Sequence, residues 1–322
     1  MKIFTKTALA IAACALFAGQ AQAQNWPDKA VTLVVPFTAG TTSDVIARSF
    51  GDYLAAKIGK PVVIDNKGGA GGNIGGAAAA KAAPDGYTFL FSTTGPAATN
   101  KLMYKEMSFD PQKDLAPMGL IGKSPIIIAA RPNLPAATMQ EFIAAAKKPD
   151  ANFSVGYPGN GTLGHVTGAL LQVTIGAKFA ETQHRGSASI INDLMGGHLD
   201  LGMDSMAAYV PQVEAGKLKA LAVASAKRWP KLPNVPTVSE SGIPGFEASV
   251  WYAVLAPKGV SDDITQKMNG YVNAYIAEEK TRTLFTELGI ETGGGTPAEL
   301  TAFIEAELKK WAPVIKAAGI QF

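Results

Sequence analysis

Short apolar runs rich in β-branched and aromatic residues recur along the first third of the chain. They lie at 31–35, 62–64 and 87–91. Runs of this length and composition are typical of strands that are buried on both faces of a parallel sheet. Each run leads into a loop that contains glycine, serine or threonine, so three successive predicted strands end in small, polar loops.

The residues between the first two runs predict an amphipathic helix. Ile46, Phe50, Leu54 and Ile58 fall on one face at helical spacing. Gly59 follows the last of them and is the predicted C-terminal cap.

The same alternation continues through the rest of the chain. We predict further strands at 125–130, 153–156, 199–203, 218–223 and 251–255, with helices between most of them. Alternating strands and helices imply an α/β fold in which parallel-rich sheets are flanked by helices. Ligands of such folds bind beyond the carboxyl ends of the strands. The small, polar loops are therefore the first candidates for a binding site.

The N-terminus indicates export. Two lysines precede an apolar stretch at 8–18, and Ala21 and Ala23 occupy the small-residue positions before a predicted cut after Ala23. This is the pattern of a cleavable signal peptide, and the stretch is too short for a permanent membrane helix. We therefore predict a periplasmic protein and exclude residues 1–23 from the fold.

Cys14 is the only cysteine of the chain. Residues 11–14 loosely fit a lipoprotein cleavage box, so lipidation of Cys14 is an alternative, although the apolar stretch continues beyond it. Cleavage after Ala23 would remove this cysteine, so we expect no disulfide, thiolate metal site or cysteine nucleophile.

The charge balance excludes several classes of function. The chain has 29 Lys and Arg against 26 Asp and Glu, and loss of Lys2 and Lys6 with the signal peptide leaves 27 against 26. A nearly neutral protein without a basic run is not expected to bind nucleic acid. The histidines at 165, 184 and 198 lack the spacing of metal ligands. We expect neither a metal ion nor another cofactor.

Three loops have the residues needed to hold a small anion without reacting with it. They are 37–43, 92–95 and 159–162. Unpaired backbone N–H groups and the helix dipole favour an anion at a helix N-terminus. Glycine lets the backbone approach the ligand closely, and hydroxyl groups add hydrogen-bond donors. These loops predict a carboxylate site.

Several polar residues near the loops have two interpretations. Ser43 and Asp44 either cap a helix or contact the ligand. His165 is either a ligand contact or a buried structural residue. Arg185 either binds a carboxylate with both arms of its guanidinium or is a solvated loop residue. Asp204 either accepts a hydrogen bond from the ligand or fixes a neighbouring loop.

Motifs of secreted enzymes are absent from the sequence. It contains no G-x-S-x-G elbow and no H-E-x-x-H zinc motif. We therefore interpret the chain as a binding protein and not as an enzyme. A hydrolase with a convergent Ser–His–acid set and a ligand sensor for a signalling partner are the alternatives.

An ordered set of motifs resembles the receptor family of the tripartite tricarboxylate transporters, also called Bug-type solute-binding proteins. Any one motif is weak, but together they follow the whole mature chain in order. The matching segments are WPDK at 26–29, VPFTAG at 35–40, NKGGAGGNI at 66–74, PDGYT at 84–88, GNGT at 159–162, RGSA at 185–188, GKLKALA at 216–222, PNVPT at 233–237 and GIPG at 242–245.

The resemblance implies a periplasmic binding protein fold. Two α/β lobes would be joined by strands that cross twice, with the ligand in the cleft between them and closure by a hinge. Lobe one would be 24–125 plus 250–322, and lobe two would be 126–249. The resemblance also implies a monomer that delivers a small carboxylate to the membrane subunits of a tripartite tricarboxylate-type transporter.

Two departures from the family pattern lie where the ligand is expected. The chain has Thr41 and Thr42 after Gly40 where the family often has a glycine pair, and His184 and Arg185 where it often has tyrosine and lysine. Which di- or tricarboxylate, aliphatic or aromatic, is bound therefore stays open. The loops and the resemblance together predict these ligand-binding residues: Phe37, Thr38, Ala39, Gly40, Thr41, Thr42, Ser43, Ser92, Thr93, Thr94, Asn160, Gly161, Thr162, His165, Arg185 and Asp204.

Overall fold

Strands and helices alternate along nearly all of the chain. The computed structural model describes residues 26–322, so the predicted signal peptide and Cys14 lie outside the described residues. The strands are β1 (Val31–Val35), β2 (Val62–Asn66), β3 (Thr88–Thr93), β4 (Leu115–Ala130), β5 (Phe153–Tyr157), β6 (Phe179–Gln183), β7 (Leu201–Ser205), β8 (Lys219–Val223), β9 (Ser249–Pro257) and β10 (Glu291–Thr292).

The α-helices fill the connections between the strands. They are α1 (Thr42–Ile58), α2 (Asn73–Ala80), α3 (Thr94–Ala97), α4 (Pro111–Asp114), α5 (Met139–Ala146), α6 (Leu163–Ile175), α7 (Ser187–Met195), α8 (Val210–Glu214), α9 (Asp262–Ala277), α10 (Glu279–Leu288) and α11 (Pro297–Ala317). No helix of the described chain has the length and hydrophobicity needed to cross a membrane.

The ten strands of residues 26–322 belong to one sheet with the order β2-β1-β3-β9-β4-β7-β5-β6, and β8 and β10 also pair with β4. The outer strands are parallel: β1 pairs with β2 and β3, and β5 pairs with β6 and β7. The inner strands are antiparallel, because β4 and β9 run in opposite directions between the two halves. The α/β class is as predicted, and the sheet is mixed rather than wholly parallel.

The two long strands carry the chain from one half of the molecule to the other. β4 pairs with β9 from Leu115 to Pro125 and then with β7 from Ile126 onward. β9 is the return crossing, and its first residue, Ser249, lies opposite Pro125. β4 thus exchanges β9 for β7 as its pairing partner at a single point.

Helix α1 illustrates how the apolar pattern becomes packing. Ile46, Phe50 and Leu54 are fully buried, and the Phe50 ring meets the Tyr275 ring at 5.2 Å between centroids. Full burial of such side chains contributes about 1.5–3 kcal/mol each. Gly59 ends the helix in the left-handed conformation, and its N–H donates to the Ala55 carbonyl at 3.0 Å. The predicted face and cap are both observed.

Candidate functional site

A cleft lies where the carboxyl ends of β1, β3, β5 and β7 approach one another. It contains about 680 Å³ of space free of protein atoms, counted to its opening to solvent. Its lining residues are Phe37, Thr38, Thr41, Thr42, Ser43, Gly71, Thr93, Thr94, Gly95, Pro158, Thr162, Leu163, Gly164, Arg185, Gly186, Ser187, Asp204, Ser205, Val250 and Tyr252.

Three of the helices that begin at this cleft are nine residues or longer and have no side-chain cap. Their N-cap residues are Thr41 for α1, Thr162 for α6 and Gly186 for α7, and none of these side chains accepts a hydrogen bond from its helix. The first N–H groups of a helix have no acceptor within it. Backbone donors from three helices are therefore directed to one cavity, which suits an anion.

Two of these helix starts share an unusual arrangement of the threonine hydroxyl. Thr41 Oγ1 donates to the Thr38 carbonyl at 2.9 Å, and Thr162 Oγ1 donates to the Gly159 carbonyl at 2.8 Å. Each hydroxyl is thus held by the loop before the helix, rather than over the helix N-terminus.

Some of the helices that begin away from the cleft have a side-chain cap, and others do not. Thr138, Ser261 and Thr296 each accept a hydrogen bond from the first turn of α5, α9 and α11, respectively. The starts of α8 and α10 have no side-chain cap either. The helix starts of the cleft are thus distinguished by their convergence on one cavity and not by the missing caps alone.

Asp44 holds the first loop in place. Its Oδ2 accepts the Gly40 N–H at 2.9 Å, and its carboxylate also binds Arg48 and Asn66. Burial opposes its ionisation, but the hydrogen bonds from Arg48, Gly40 and Asn66 outweigh burial and lower the pKa of Asp44. The N-cap position belongs to Thr41, so the expectation that Ser43 or Asp44 caps the helix is wrong. Asp44 lies inside the first turn and binds back to the loop.

The second loop is tied to the crossing strand. Thr94 Oγ1 accepts the Trp251 N–H at 3.1 Å, and both Thr93 and Thr94 line the cleft. Ser92 is fully buried, and its hydroxyl donates to the Thr93 carbonyl at 3.2 Å. The alternation of side chains along a strand places Ser92 on the other face from Thr93, so Ser92 does not line the cleft.

His165 faces away from the cleft, although it follows a cleft loop. Its Nδ1 accepts the Gly161 N–H at 3.3 Å, and its Nε2 lies 3.4 Å from a carboxylate oxygen of Glu181. The hydrogen bond from His165 lowers the pKa of Glu181. The structure thus places His165 in a structural contact behind the third loop.

Four further predicted residues do not line the cleft. Ala39 and Gly40 line a neighbouring pocket, together with Arg185 and Ile191. The Asn160 carbonyl accepts the Tyr104 hydroxyl at 3.1 Å. Gly161 packs toward Tyr104, where an added Cβ would lie 3.0 Å from the ring. The other predicted residues, apart from Ser92 and His165, are brought together: Phe37, Thr38, Thr41, Thr42, Ser43, Thr93, Thr94, Thr162, Arg185 and Asp204.

Two charged residues line the cleft. The Arg185 side chain is exposed and forms no hydrogen bond or ion pair with any residue from 26 to 322. Asp204 is buried, and burial raises the pKa of its carboxyl group to about 6, against the opposing effects of the Ser187 side chain and the Ser205 N–H. Among the described residues, the cleft therefore offers one available cation, Arg185, and one carboxyl group, Asp204, that ionises reluctantly.

The sequence did not indicate several lining residues. Gly164 is required for close packing, because a Cβ there would collide with the Met203 carbonyl oxygen. Ser187 lies within the RGSA motif, which pointed only to its arginine. Tyr252 reaches the cleft from the crossing strand, with its hydroxyl 3.1 Å from Ser205 Oγ. Tyr252 could have been identified as a lining residue only by predicting that β9 passes beside the cleft.

Within residues 26–322, no cluster of three His, Cys, Asp or Glu side chains is arranged to hold a metal ion. The site therefore consists of backbone N–H groups, hydroxyls, one guanidinium and one buried carboxyl group. This set can hold an anion through charge and hydrogen bonds.

Comparison with known proteins identifies relatives over almost the whole chain. The family model described as tripartite tricarboxylate transporter family receptor matches residues 46–320. The solved structure of R. palustris Rpa4515 with adipate is 37% identical, with a TM-score of 0.88, and the match covers 92% of this chain and 99% of that one.

Two further solved structures give the same picture. The periplasmic binding protein BugD is 35% identical, with a TM-score of 0.86, and the match covers 92% of this chain and 99% of that one. MatC from Rhodopseudomonas palustris, with bound malate, is 29% identical, with a TM-score of 0.85 and coverage of 90% and 100%. The two-lobed binding-protein architecture expected from the sequence is thus confirmed.

Proposed function

Because this chain belongs to the tripartite tricarboxylate transporter receptor family, we propose that it is a periplasmic receptor for a small dicarboxylate. It captures this ligand in the cleft and delivers it to a membrane transporter of the tripartite tricarboxylate type. The family is one of receptors, so the interpretation as a solute-binding protein rather than a hydrolase is confirmed.

The convergence of three uncapped helix starts on one cavity carries the proposal. Thr41, Thr162 and Gly186 leave the first N–H groups of their helices without a side-chain acceptor. A carboxylate would satisfy these donors, and such charge-assisted hydrogen bonds are stronger than neutral ones. Arg185 adds a cation at the same wall.

The ligands of the relatives support the choice of a dicarboxylate. Adipate is bound in the Rpa4515 structure, and malate is bound in MatC. Both are small aliphatic molecules with a carboxylate at each end. A cleft with one arginine and several sets of backbone donors has groups for both ends of such a molecule.

A thermal-shift screen of the mature protein, residues 24–322, tests the proposal. The panel contains mono-, di- and tricarboxylates, each with its neutral amide analogue. A ligand at a hundredfold excess over its Kd stabilises the folded state by about 2.7 kcal/mol. We expect a dicarboxylate to raise the Tm and its diamide to leave it unchanged. Stabilisation by the amides and not by the acids would contradict the proposal.

The contribution of Arg185 is tested by calorimetric titration of the ligand found in the screen. Loss of a hydrogen-bonded charge at the site weakens binding by about 1.5–3 kcal/mol, so Arg185→Gln should reduce the affinity at least tenfold. Arg282→Gln is the matched control, because Arg282 is exposed on α10 and does not line the cleft. If both variants bind the ligand with equal affinity, Arg185 does not contribute to ligand binding.

Transport and signalling are separated by a different experiment. Deletion of the gene should abolish uptake of the ligand, while the transcriptional response to that ligand persists. The reverse result would favour the sensor alternative, in which the same ligand-bound receptor contacts a signalling protein.

A further inference from the structure

Asp204 is a buried carboxyl group in the wall of the cleft, with one oxygen left unpaired. It lies at the carboxyl end of β7, and its side chain is only 5% exposed. Oδ1 accepts the Ser205 N–H at 2.6 Å. Oδ2 has no partner that meets hydrogen-bond geometry in the described part of the chain, and the Ser187 hydroxyl is the side-chain donor close enough to favour ionisation of this carboxyl group. Buried polar atoms are nearly always paired, so an unpaired oxygen in a binding cleft points to a ligand.

The groups around Asp204 do not compensate for a negative charge there. Ser187, at the start of α7, and the Ser205 N–H favour ionisation, but burial outweighs them. Tyr209 and Tyr252 also face this carboxyl group, and burial raises the pKa of both phenols, so they stay neutral. Arg185 lines the same cleft but does not offset the burial of Asp204.

We infer that Asp204 binds the ligand as a neutral carboxylic acid, whose Oδ2–H donates a hydrogen bond to a ligand carboxylate, so that ligand capture takes up a proton. This inference rests on the proposed function. The arrangement of the two oxygens supports it, since Oδ1 is already used as an acceptor by Ser205 and Oδ2 is the position left for the proton. An ionised Asp204 would instead repel the anion that the helix starts attract.

The acidity of this group sets the pH range in which the effect is visible. Burial raises the pKa of Asp204 to about 6 in the ligand-free protein, and a neighbouring ligand carboxylate would raise it further, because ionisation would then place two negative charges side by side. Binding therefore needs proton uptake above pH 6. The affinity for a fully ionised dicarboxylate should fall by up to about tenfold per pH unit between pH 6 and 8.

Calorimetric titration of the mature protein with adipate and with malate tests this. The affinity is measured from pH 6 to pH 8, and the binding enthalpy at pH 8 is measured in HEPES and in Tris, which have different enthalpies of ionisation. We expect the affinity to fall with pH, and the binding enthalpy at pH 8 to differ between the buffers by an amount that corresponds to uptake of about one proton. An affinity that does not change with pH, with equal enthalpies in both buffers, would overturn the inference.

The variant Asp204→Asn provides an independent check. Its amide oxygen replaces Oδ1 as the acceptor for Ser205, and its NH2 group replaces the Oδ2–H donor. We expect this variant to bind with the wild-type affinity of pH 6 at every pH and to take up no proton. If Asn at this position abolishes binding, Asp204 accepts a hydrogen bond from the ligand instead, and the inference is wrong.

Histidine is the other side chain that ordinarily changes charge in this range, so His184→Gln is the control for the pH dependence. His184 precedes Arg185 and binds Asp193 at 2.9 Å. The pH dependence should survive this substitution, and its disappearance would assign the proton to His184. Failure of both dicarboxylates to bind at any pH is a separate outcome, which would contradict the proposed dicarboxylate function itself.

Discussion

The environment of a residue decides its role in this cleft more than its chemical type does. Asp44 holds a cleft loop and Asp204 lines the cleft itself, but hydrogen bonds lower the pKa of Asp44, whereas burial raises that of Asp204. His165 follows a cleft loop and nevertheless binds Glu181 behind it. The sequence could nominate all three residues, because each lies next to a predicted loop. It could not say which way each side chain faces.

Asp204 should make the folded protein less stable at high pH. Its pKa is higher in the folded state than in the unfolded chain, so the folded state binds the proton more tightly. The loss of stability caused by ionised Asp204 is therefore absent below about pH 4 and grows as the pH rises to about 6. A rise of the pKa of Asp204 from 3.8 to about 6 corresponds to about 3 kcal/mol in the free energy of unfolding. Asp204→Asn should thus unfold at higher urea concentration than the wild type at pH 8, and at a similar concentration at pH 4.

The control for this prediction is Asp200, which immediately precedes the same strand. Burial opposes ionisation of Asp200 too, but hydrogen bonds from Ser154 and Arg131 outweigh it and lower the pKa of Asp200. The stability that ionised Asp200 contributes is present above the pKa of this group in the unfolded chain, and it is lost as the pH falls. Asp200→Asn should therefore destabilise the protein at pH 8. If both variants lose stability at pH 8, the ionised carboxyl group of Asp204 does not destabilise the folded protein.

At the scale of elements, the sequence predicted the helices and strands whose apolar pattern is regular, and it missed those whose apolar pattern is interrupted. The face of α1 and its Gly59 cap follow directly from apolar spacing. The first part of β4 was missed, because Pro117, Gly119 and Gly122 interrupt its apolar run. β6 was missed because its residues are largely exposed and polar. Such strands form because neighbouring strands pair with them, and not because of their own composition. They can therefore be recognised only when the whole sheet is known.

The site was predictable to the same extent. Loops that follow β1, β3 and β5 could be identified because small residues follow apolar runs. Gly186, Ser187 and Tyr252 could not, because they reach the cleft only through the packing of α7 and β9. Local sequence thus identifies the loops, and the topology determines which of their residues meet.

The N–H groups of the α1 start can be tested with proline. Thr42 is the first residue of the helix, and Thr41 before it has an extended backbone, φ −74° and ψ 162°, which proline at the next position requires. Proline at this position is compatible with a helix, because its missing N–H has no partner within the helix. Thr42→Pro should therefore keep the Tm within a few degrees and weaken ligand binding at least tenfold, since one charge-assisted hydrogen bond is lost.

Thr42→Ala separates the backbone from the side chain in the same titration. It removes the hydroxyl and keeps the N–H. We expect it to bind more tightly than Thr42→Pro. If the two variants bind equally, the helix N–H group is not a ligand donor, and the threonine hydroxyl carries the contact at this position.

At the scale of the whole molecule, the two crossing strands support the predicted lobe boundaries. Those boundaries, at 125/126 and 249/250, stay a prediction. β4 exchanges β9 for β7 as its partner between Pro125 and Ile126, and Ser249 lies opposite Pro125. Two strands that cross at one point would allow the lobes to rotate with a backbone change at few residues. Hinge closure is therefore the motion that this topology favours.

Contacts across the mouth of the cleft should stabilise the closed arrangement. The Tyr104 hydroxyl, from predicted lobe one, donates to the Asn160 carbonyl, from predicted lobe two, at 3.1 Å. A typical hydrogen bond contributes about 0.5–1.5 kcal/mol. If this bond exists only when the cleft is closed, Tyr104→Phe shifts the equilibrium toward the open form, and the apparent ligand affinity falls by about two- to tenfold.

Small-angle X-ray scattering and calorimetric titration of Tyr104→Phe together test the lobe closure. The wild-type protein should become more compact when the ligand is added. The variant should need a higher ligand concentration to reach the same radius of gyration, with an unchanged Tm in the absence of ligand, because the ring and its packing against Phe322 at 5.1 Å are kept. Tyr271→Phe, on α9 and outside the cleft lining, is the matched control. A radius of gyration that does not respond to ligand in the wild type would mean that the receptor binds without moving its lobes, and the Tyr104 contact would then be a fixed part of the fold.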